Sequence, residues 1–355
     1  MDIKPKKKSW IGGRVIKTAI SVFITSFICL AFNLPAIFAV ITAIVTIEPT
    51  THDSIRKGIV RFPASAIGAA LAATSVYFLG ESALTYTIAA TCTIILCQKL
   101  KLYEGTLVAT LTSVAMIPDL QNYLLLSFLI RLGTTSIGIT VSTLVNVLIL
   151  PADYLDDISY RNRRHIDQIK QALVESLKRL RDGYTPQQQK NDGPYETLNR
   201  QLAKTDQLLY FQRKELRYHR FKIKKYRQFS FEKQTTQFIQ RAALHLGNLQ
   251  YIQKAISFTE YEQNILKRAE AEFSFLLNEL DKPIDDSYFQ FIDDLNNHLQ
   301  YEFAQSRPLA VHQHTNHDHQ LSEKVILFYE LLAIHDLIED LHHHFLKNQP
   351  VPVEK

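Results

Sequence analysis

Acidic residues are scarce in the first 150 positions. Only Asp2, Glu48, Asp53, Glu81, Glu104 and Asp119 occur there, against twelve Lys and Arg, while the remainder of the chain is close to neutral. The formal net charge of +5 therefore sits on the flanks of the apolar runs, and nucleic acid is excluded as a partner. Cysteine is also scarce. Cys29, Cys92 and Cys97 are the only three, all within apolar runs, where cysteine behaves as a small hydrophobe rather than as part of a disulfide framework. No phosphate-binding glycine loop, Cys-x-x-Cys pair or Ser/His/Asp arrangement stands out. That argues against an ATP motor in this chain, implies no cofactor and ranks an enzyme last.

What fills the first 150 residues is apolar sequence. Six runs stand out, Val15–Asn33, Ala36–Ile47, Gly58–Leu79, Ala83–Cys97, Gly105–Ile117 and Tyr123–Leu150. Turn and charge signals separate them at Asn33–Pro35, Glu48–Lys57, Gly80-Glu81, Gln98–Glu104 and Pro118–Asn122. A bilayer span takes about 20 apolar residues, so the second and fifth runs are short. The expected fold is all-α: a six-helix transmembrane domain over 1–151, followed by a cytoplasmic helical bundle over 152–355.

Orientation follows from Lys and Arg beside the spans. Lys4, Lys6, Lys7 and Lys8 precede the first span. Arg56, Lys57 and Arg61 follow the second, Lys99 and Lys101 the fourth, and Arg161, Arg163 and Arg164 the sixth. The alternate loops carry neither residue type. Six spans with both termini in the cytoplasm satisfy this pattern, and an odd number breaks it. The basic segment Met1–Ile11 reads as a retained flank of the first span rather than a signal peptide.

The two halves of this region resemble each other. Arg61-Phe-Pro-Ala-Ser-Ala-Ile67-Gly68 and Arg131-Leu-Gly-Thr-Thr-Ser-Ile137-Gly138 are both Arg-x5-Ile-Gly, and each follows a short apolar run ended by a proline, Pro49 or Pro118. Three helices per unit place two such units in opposite orientations, the 3+3 inverted repeat of many transporters, in which short segments at matching positions point to the substrate path.

Arg131 is the sharpest candidate site residue. It lies eight residues into the sixth run, about 12 Å from its start at 1.5 Å per residue. A guanidinium at that depth faces water, a partner or a ligand, and its planar fork fits a carboxylate. The alternatives are a side chain that snorkels to the headgroups or one paired with a backbone carbonyl. Arg61, its repeat mate, is open to explanation as a positive-inside anchor. Glu48 beside Pro49 is an ion-pair partner, a proton-coupling group or an interfacial charge. Gly68 and Gly138 lie in small-residue faces, which serve close helix packing as well as a path.

From Asp153 the pattern turns amphipathic. Ile158, His165, Ile169, Leu173 and Leu177 recur at helical spacing, and further helices are expected near 195–225, 231–258, 260–280, 286–305 and 321–346 around an apolar core. His312, His314, His317 and His319 in a polar stretch are weak candidate metal ligands, set against a solvated loop. His342, His343 and His344 close the last helix, where such side chains favour a helix C-terminus. The basic run Arg213–Arg227 reads as a solvated helix face or a contact for anionic headgroups.

The membrane half resembles the fusaric-acid-resistance and aromatic acid exporter superfamily. The likeness rests on the short helix ending at Pro49, Arg61-x5-Ile-Gly, and Arg131-Leu-Gly-Thr-Thr-Ser-Ile-Gly continuing to Val145-Asn146 and Pro151. The layout is similar to the single-unit members of Gram-positive bacteria with a C-terminal helical domain. The resemblance implies efflux of organic anions, aromatic carboxylic acids above all, across the plasma membrane. Plant malate channels of this architecture are dimers with arginines along an anion pore, which implies a homodimer here and Arg131 as an anion contact. The competing expectation is a membrane-anchored sensor or scaffold whose helical domain binds a partner. A charge at the depth of Arg131 argues against a mere anchor.

Overall fold

The computed structural model describes residues 12–120, 124–149, 152–182, 193–218, 223–252, 256–306 and 321–347. Among these the fold is all-α, with twelve α-helices and no strand. The chain divides into two compact units. One, the apolar unit, comprises Pro5–Asp153 with Phe211–Phe221. The described residues of the other, the helical bundle, come from Tyr154–Tyr210 and Lys222–Lys355.

The apolar unit holds α1 (Gly13–Ala31), α2 (Ala36–Thr46), α3 (Thr51–Leu79), α4 (Ala83–Lys99), α5 (Thr106–Met116) and α6 (Leu124–Leu148). Three helices, Gly13–Ala31, Thr51–Leu79 and Leu125–Leu148, are long and apolar enough to cross a membrane. With 11 residues each, α2 and α5 extend only about 16 Å at 1.5 Å per residue, roughly half of a hydrocarbon core.

Its burial pattern is inside out. The buried side chains of α1 are Lys17, Ser21, Thr25 and Cys29, a small and polar stripe at i, i+4 spacing. The large apolar ones, Phe23, Phe27 and Leu30, are exposed. In α4 the buried stripe is Thr85, Ala89, Thr93 and Cys97, with Leu84, Ile88 and Ile95 exposed. Small residues let helices approach closely, and outward apolar side chains suit a hydrocarbon solvent. The buried hydroxyls of Thr46 and Thr93 donate to the carbonyls of Thr42 and Ala89 one turn back, so neither needs water.

α3 starts earlier than expected. The polar stretch Glu48–Lys57 is not a loop throughout, because the helix begins at Thr51 and places Arg56, Lys57 and Arg61 on one continuous element. The Thr50 hydroxyl accepts from the Asp53 N–H at 3.2 Å, an N-cap, with Asp53 favourable in the first turn. Charge there marks helix emerging from the apolar run, not chain reversal.

The bundle contains α7 (Leu155–Arg181), α9 (Ile223–Tyr251), α10 (Glu260–Asn278), α11 (Asp286–Ser306), α12 (Glu323–Lys347) and Pro194–Tyr210 of α8 (Pro194–Leu216). α7 packs on α9 and α10, and α12 packs on α9, α10 and α11, around a core that includes Leu173, Leu246, Leu266, Phe273, Phe328 and Leu331. Thr259 and Glu262 close a capping box at the start of α10. Two boundaries differ from expectation: α8 stops at Leu216 instead of near 225, and α9 spans Ile223–Tyr251 instead of 231–258. The basic run explains this. Arg213 and Lys214 complement the carbonyl end of α8, so the run straddles a helix end instead of lining one helix face.

Candidate functional site

The site lies in the apolar unit, where α6 brings Arg131 against α2 and α5. Arg131 is 5 % exposed. Its Nη2 donates to the Thr112 hydroxyl on α5 at 2.8 Å, and its guanidinium carbon stands 3.6 Å above the centre of the Phe38 ring on α2. The cation is thereby held over an aromatic face. Arg131, Pro35, Phe38, Met116, Ile130 and Thr134 line a cavity of about 200 Å³, together with Ser127. The pocket is apolar with one cation and a few hydroxyls in its wall, the composition of a small-molecule site. Arg131 turns inward, and its neighbours include a hydroxyl, a ring and a cavity.

Arg61, on α3, is equally buried but differently occupied. Its Nη2 meets Glu48 Oε1 at 2.7 Å, its Nη1 donates to the Val45 carbonyl at 3.1 Å and its Nε to the Glu104 carbonyl at 3.3 Å. Lys57 Nζ lies 3.3 Å from Glu48 Oε2 and 3.2 Å from Glu104 Oε2. Glu48 is therefore the ion-pair partner of two cations, and the structure brings Arg61 and Glu48 together while holding Arg131 elsewhere.

Gly68 and Gly138 are points of helix contact. A Cβ on Gly68 would collide with the Ala109 carbonyl oxygen of α5, and one on Gly138 with the Ala39 carbonyl oxygen of α2. The numbering is informative: Gly138 follows Gly68 by 70 positions, as Ala109 follows Ala39, Arg131 follows Arg61 and Thr112 follows Thr42. Helix ends agree too. After α1, Asn33 has φ 54° and the Leu34 N–H reaches the Cys29 carbonyl at 2.8 Å. After α4, Lys101 has φ 59° and the Leu102 N–H reaches the Cys97 carbonyl at 2.8 Å. These are matching left-handed helix ends. Helix neighbours follow the same rule, α3 packing on α5 as α6 packs on α2, and α4 on α3 as α1 on α6.

Several residues were not singled out from the sequence. Phe38 and Thr112 hold Arg131. Lys17, 6 % exposed, donates to Asn146 Oδ1 at 2.7 Å. Asn146 Nδ2 in turn donates to the Glu48 and Thr50 carbonyls at 3.1 and 3.3 Å. Glu215, in the part of α8 that belongs to this unit, accepts from the Thr51 N–H and hydroxyl at 2.9 and 2.8 Å, and Lys214 meets Asp53 at 2.6 Å. The signal for Lys17 was present, a lone cation in phase with Ser21, Thr25 and Cys29.

As for metals, His312, His314, His317 and His319 lie outside the described residues. In the bundle, Glu262, His298 and Glu302 each offer one ligand atom within 4.8 Å of the others. Glu262, however, is already engaged: burial works to raise its pKa, but Lys324 at 2.7 Å and the Thr259 N–H and hydroxyl outweigh this and hold it below the usual range. The helix-closing histidines diverge. His342 Nε2 meets the Leu276 carbonyl at 2.9 Å, His344 stacks on Phe231, and His343 lies 3.6 Å from Glu339.

Residues 9–149 match the family model described as aromatic acid exporter family member 1. Over its length the chain is 43% identical across 341 residues to a UPF0421 protein of Bacillus cereus (strain ATCC 10987 / NRS 248), covering 95% of this chain and 94% of that protein. It is 43% identical across 357 residues to a UPF0421 protein of Bacillus thuringiensis subsp. konkukian (strain 97-27), covering 99% and 97%. The chain belongs to the UPF0421 family and carries an aromatic acid exporter family domain. A UPF0421 protein of Halalkalibacterium halodurans is 34% identical across 335 residues, covering 94% and 90%. The exporter-family domain contains Arg131, its cavity and the Arg61 cluster. Together with the three long apolar helices, it points to a membrane protein.

Proposed function

We propose that this UPF0421 family member is a transporter that exports organic anions, aromatic carboxylic acids first among them, across a bacterial plasma membrane. The observation that carries the proposal is the buried Arg131 guanidinium in the wall of an apolar cavity of about 200 Å³. A permanent cation there attracts a carboxylate, and the walls formed by Phe38, Met116 and Ile130 accept an apolar ring. The description of the matched family supports this class and favours a transporter over an enzyme.

On this reading the domain has six spans in two inverted units, α1–α3 and α4–α6, with both termini cytoplasmic, and two copies form a homodimer in the bilayer. Support for the repeat comes from the paired positions 70 apart and the matching ends of α1 and α4. The short α2 and α5 then occupy corresponding places beside the path, as in transporters built from such repeats. The guanidinium holds the carboxylate while the glycine contacts let α3 and α6 shift against α5 and α2.

Efflux of labelled benzoate from proteoliposomes tests the proposal. Saturable loss of label that exceeds protein-free liposomes is expected. A folded protein that moves no aromatic or aliphatic carboxylate overturns it.

A further inference from the structure

The two arginines occupy equivalent places 70 positions apart but do not share a fate. Arg131 borders a cavity, whereas the region in front of Arg61 is filled by a carboxylate that the chain itself supplies. Glu48 places one oxygen 2.7 Å from Arg61 Nη2 and the other 3.3 Å from Lys57 Nζ. Its side chain and that of Arg61 are 11 % and 7 % exposed. A carboxylate held by two cations, one oxygen on Arg61 Nη2 and the other on Lys57 Nζ, is a charge-assisted arrangement that also suits a carboxylate ligand. Glu48 sits on the short link Ile47–Thr50 between α2 and α3, not inside either helix, so it can leave without unwinding one.

We propose that Arg61 and Lys57 form a second carboxylate-binding site, and that Glu48 fills it from within the chain in this structure. The role of the site rests on the transport reading: the substrate carboxylate meets Arg131 at one end of the path and exchanges with Glu48 on Arg61 and Lys57 at the other. A tethered anion of this kind keeps the site charge-balanced while it is empty of substrate. Because Glu48 is tethered, a free carboxylate competes for the site only at high concentration, and removing Glu48 opens the site to it. Lys57 remains tied to Glu104 when Glu48 leaves, and Arg61 keeps its bonds to the Val45 and Glu104 carbonyls. The cradle therefore stays organised for the incoming group.

The test is equilibrium binding of labelled propionate, whose CH2CH2COO⁻ group matches the glutamate side chain. It is measured on the purified full chain as the native protein, Glu48→Ala, Glu48→Ala/Arg61→Gln and Glu48→Ala/Arg131→Gln. Glu48→Ala is expected to bind one molar equivalent more than the native protein. That gain should vanish without Arg61 and survive without Arg131, and propionate should raise the unfolding temperature of Glu48→Ala more than that of the native protein. No gain in a folded Glu48→Ala, or a gain that survives Arg61→Gln, overturns the proposal. Glu48→Ser replaces Glu48→Ala, with the same outcomes, if the alanine variant does not fold. The result is independent of benzoate efflux, so a native protein that moves no carboxylate removes the transport reading without deciding this site.

Discussion

The hydroxyls of Ser65 and Thr135 lie 3.4 Å apart, and each residue is the other's counterpart across the 70-position offset. Ser65 also lies 3.1 Å from the Thr112 hydroxyl, which accepts from Arg131. A line of hydroxyls thus runs from the buried cation to the point where α3 meets α6. Nothing about this line is needed for solubility, and all its members are buried.

Thr112 is predicted to position Arg131. Thr112→Val keeps the shape and removes the acceptor. Hydrogen bonds to charged groups contribute about 1.5–3 kcal/mol, so benzoate efflux should fall by roughly 10-fold or more, while Thr112→Ser retains most of it. Rates in proteoliposomes of matched protein content check this.

Gly68→Ala and Gly138→Ala should behave alike. Each added methyl meets a backbone carbonyl of a neighbouring helix, and overpacking costs about 1–3 kcal/mol. Gly133→Ala, where a Cβ would meet nothing within 4 Å and which replaces a helix-interior glycine, is predicted to hold or slightly raise the unfolding temperature in detergent. Thermal unfolding of the three variants decides the matter.

The bundle is predicted to lose stability in mild acid. His165 is held below its ordinary value near 6.5 by burial and by the nearby Arg161 and Arg164, with a Gln168 hydrogen bond opposing. Burial also lowers His335 and His344. The folded state keeps these rings neutral while the unfolded chain protonates below about 6.5, so the stability is present above that pH and declines as pH falls. Unfolding temperature should drop between pH 7.5 and 5.5, and by less in His165→Gln.

Glu232 works in the opposite sense. Burial raises its pKa, against hydrogen bonds from Ser159 and Asn162 and the charge of Arg163. An acid raised in the folded state gains stability when protonated and loses it as pH rises through its folded value. Glu232→Gln keeps an acceptor for Asn162 and carries no charge. It should raise the unfolding temperature at pH 7 and have less effect at pH 4.5.

Much of this was legible from residue order. Apolar runs bounded by Pro35, Gly80 and Pro118 marked the helices of the apolar unit, since length and polarity alone decide those. The Arg-x5-Ile-Gly pair located Arg61, Arg131, Gly68 and Gly138. The stripe from Ser21 to Cys29 and its likeness to Ala89 through Cys97 went unread, because small and polar residues inside an apolar helix are weak signals one at a time. The true start of α3 was obscured by charge, although Thr50 and Asp53 form a readable cap. Phe38 and Thr112 were invisible as partners of Arg131, since both lie in short apolar helices and only packing brings them to the guanidinium. The burial of Glu48 between Arg61 and Lys57 is likewise a product of tertiary structure.

The most direct test is benzoate efflux from proteoliposomes with the native protein and with Arg131→Gln. The variant keeps a polar, hydrogen-bonding side chain but is shorter and carries no charge. Saturable efflux in the native protein that is abolished in a folded Arg131→Gln is the predicted result. Efflux that persists unchanged in Arg131→Gln would contradict the assignment of the anion path to this cavity.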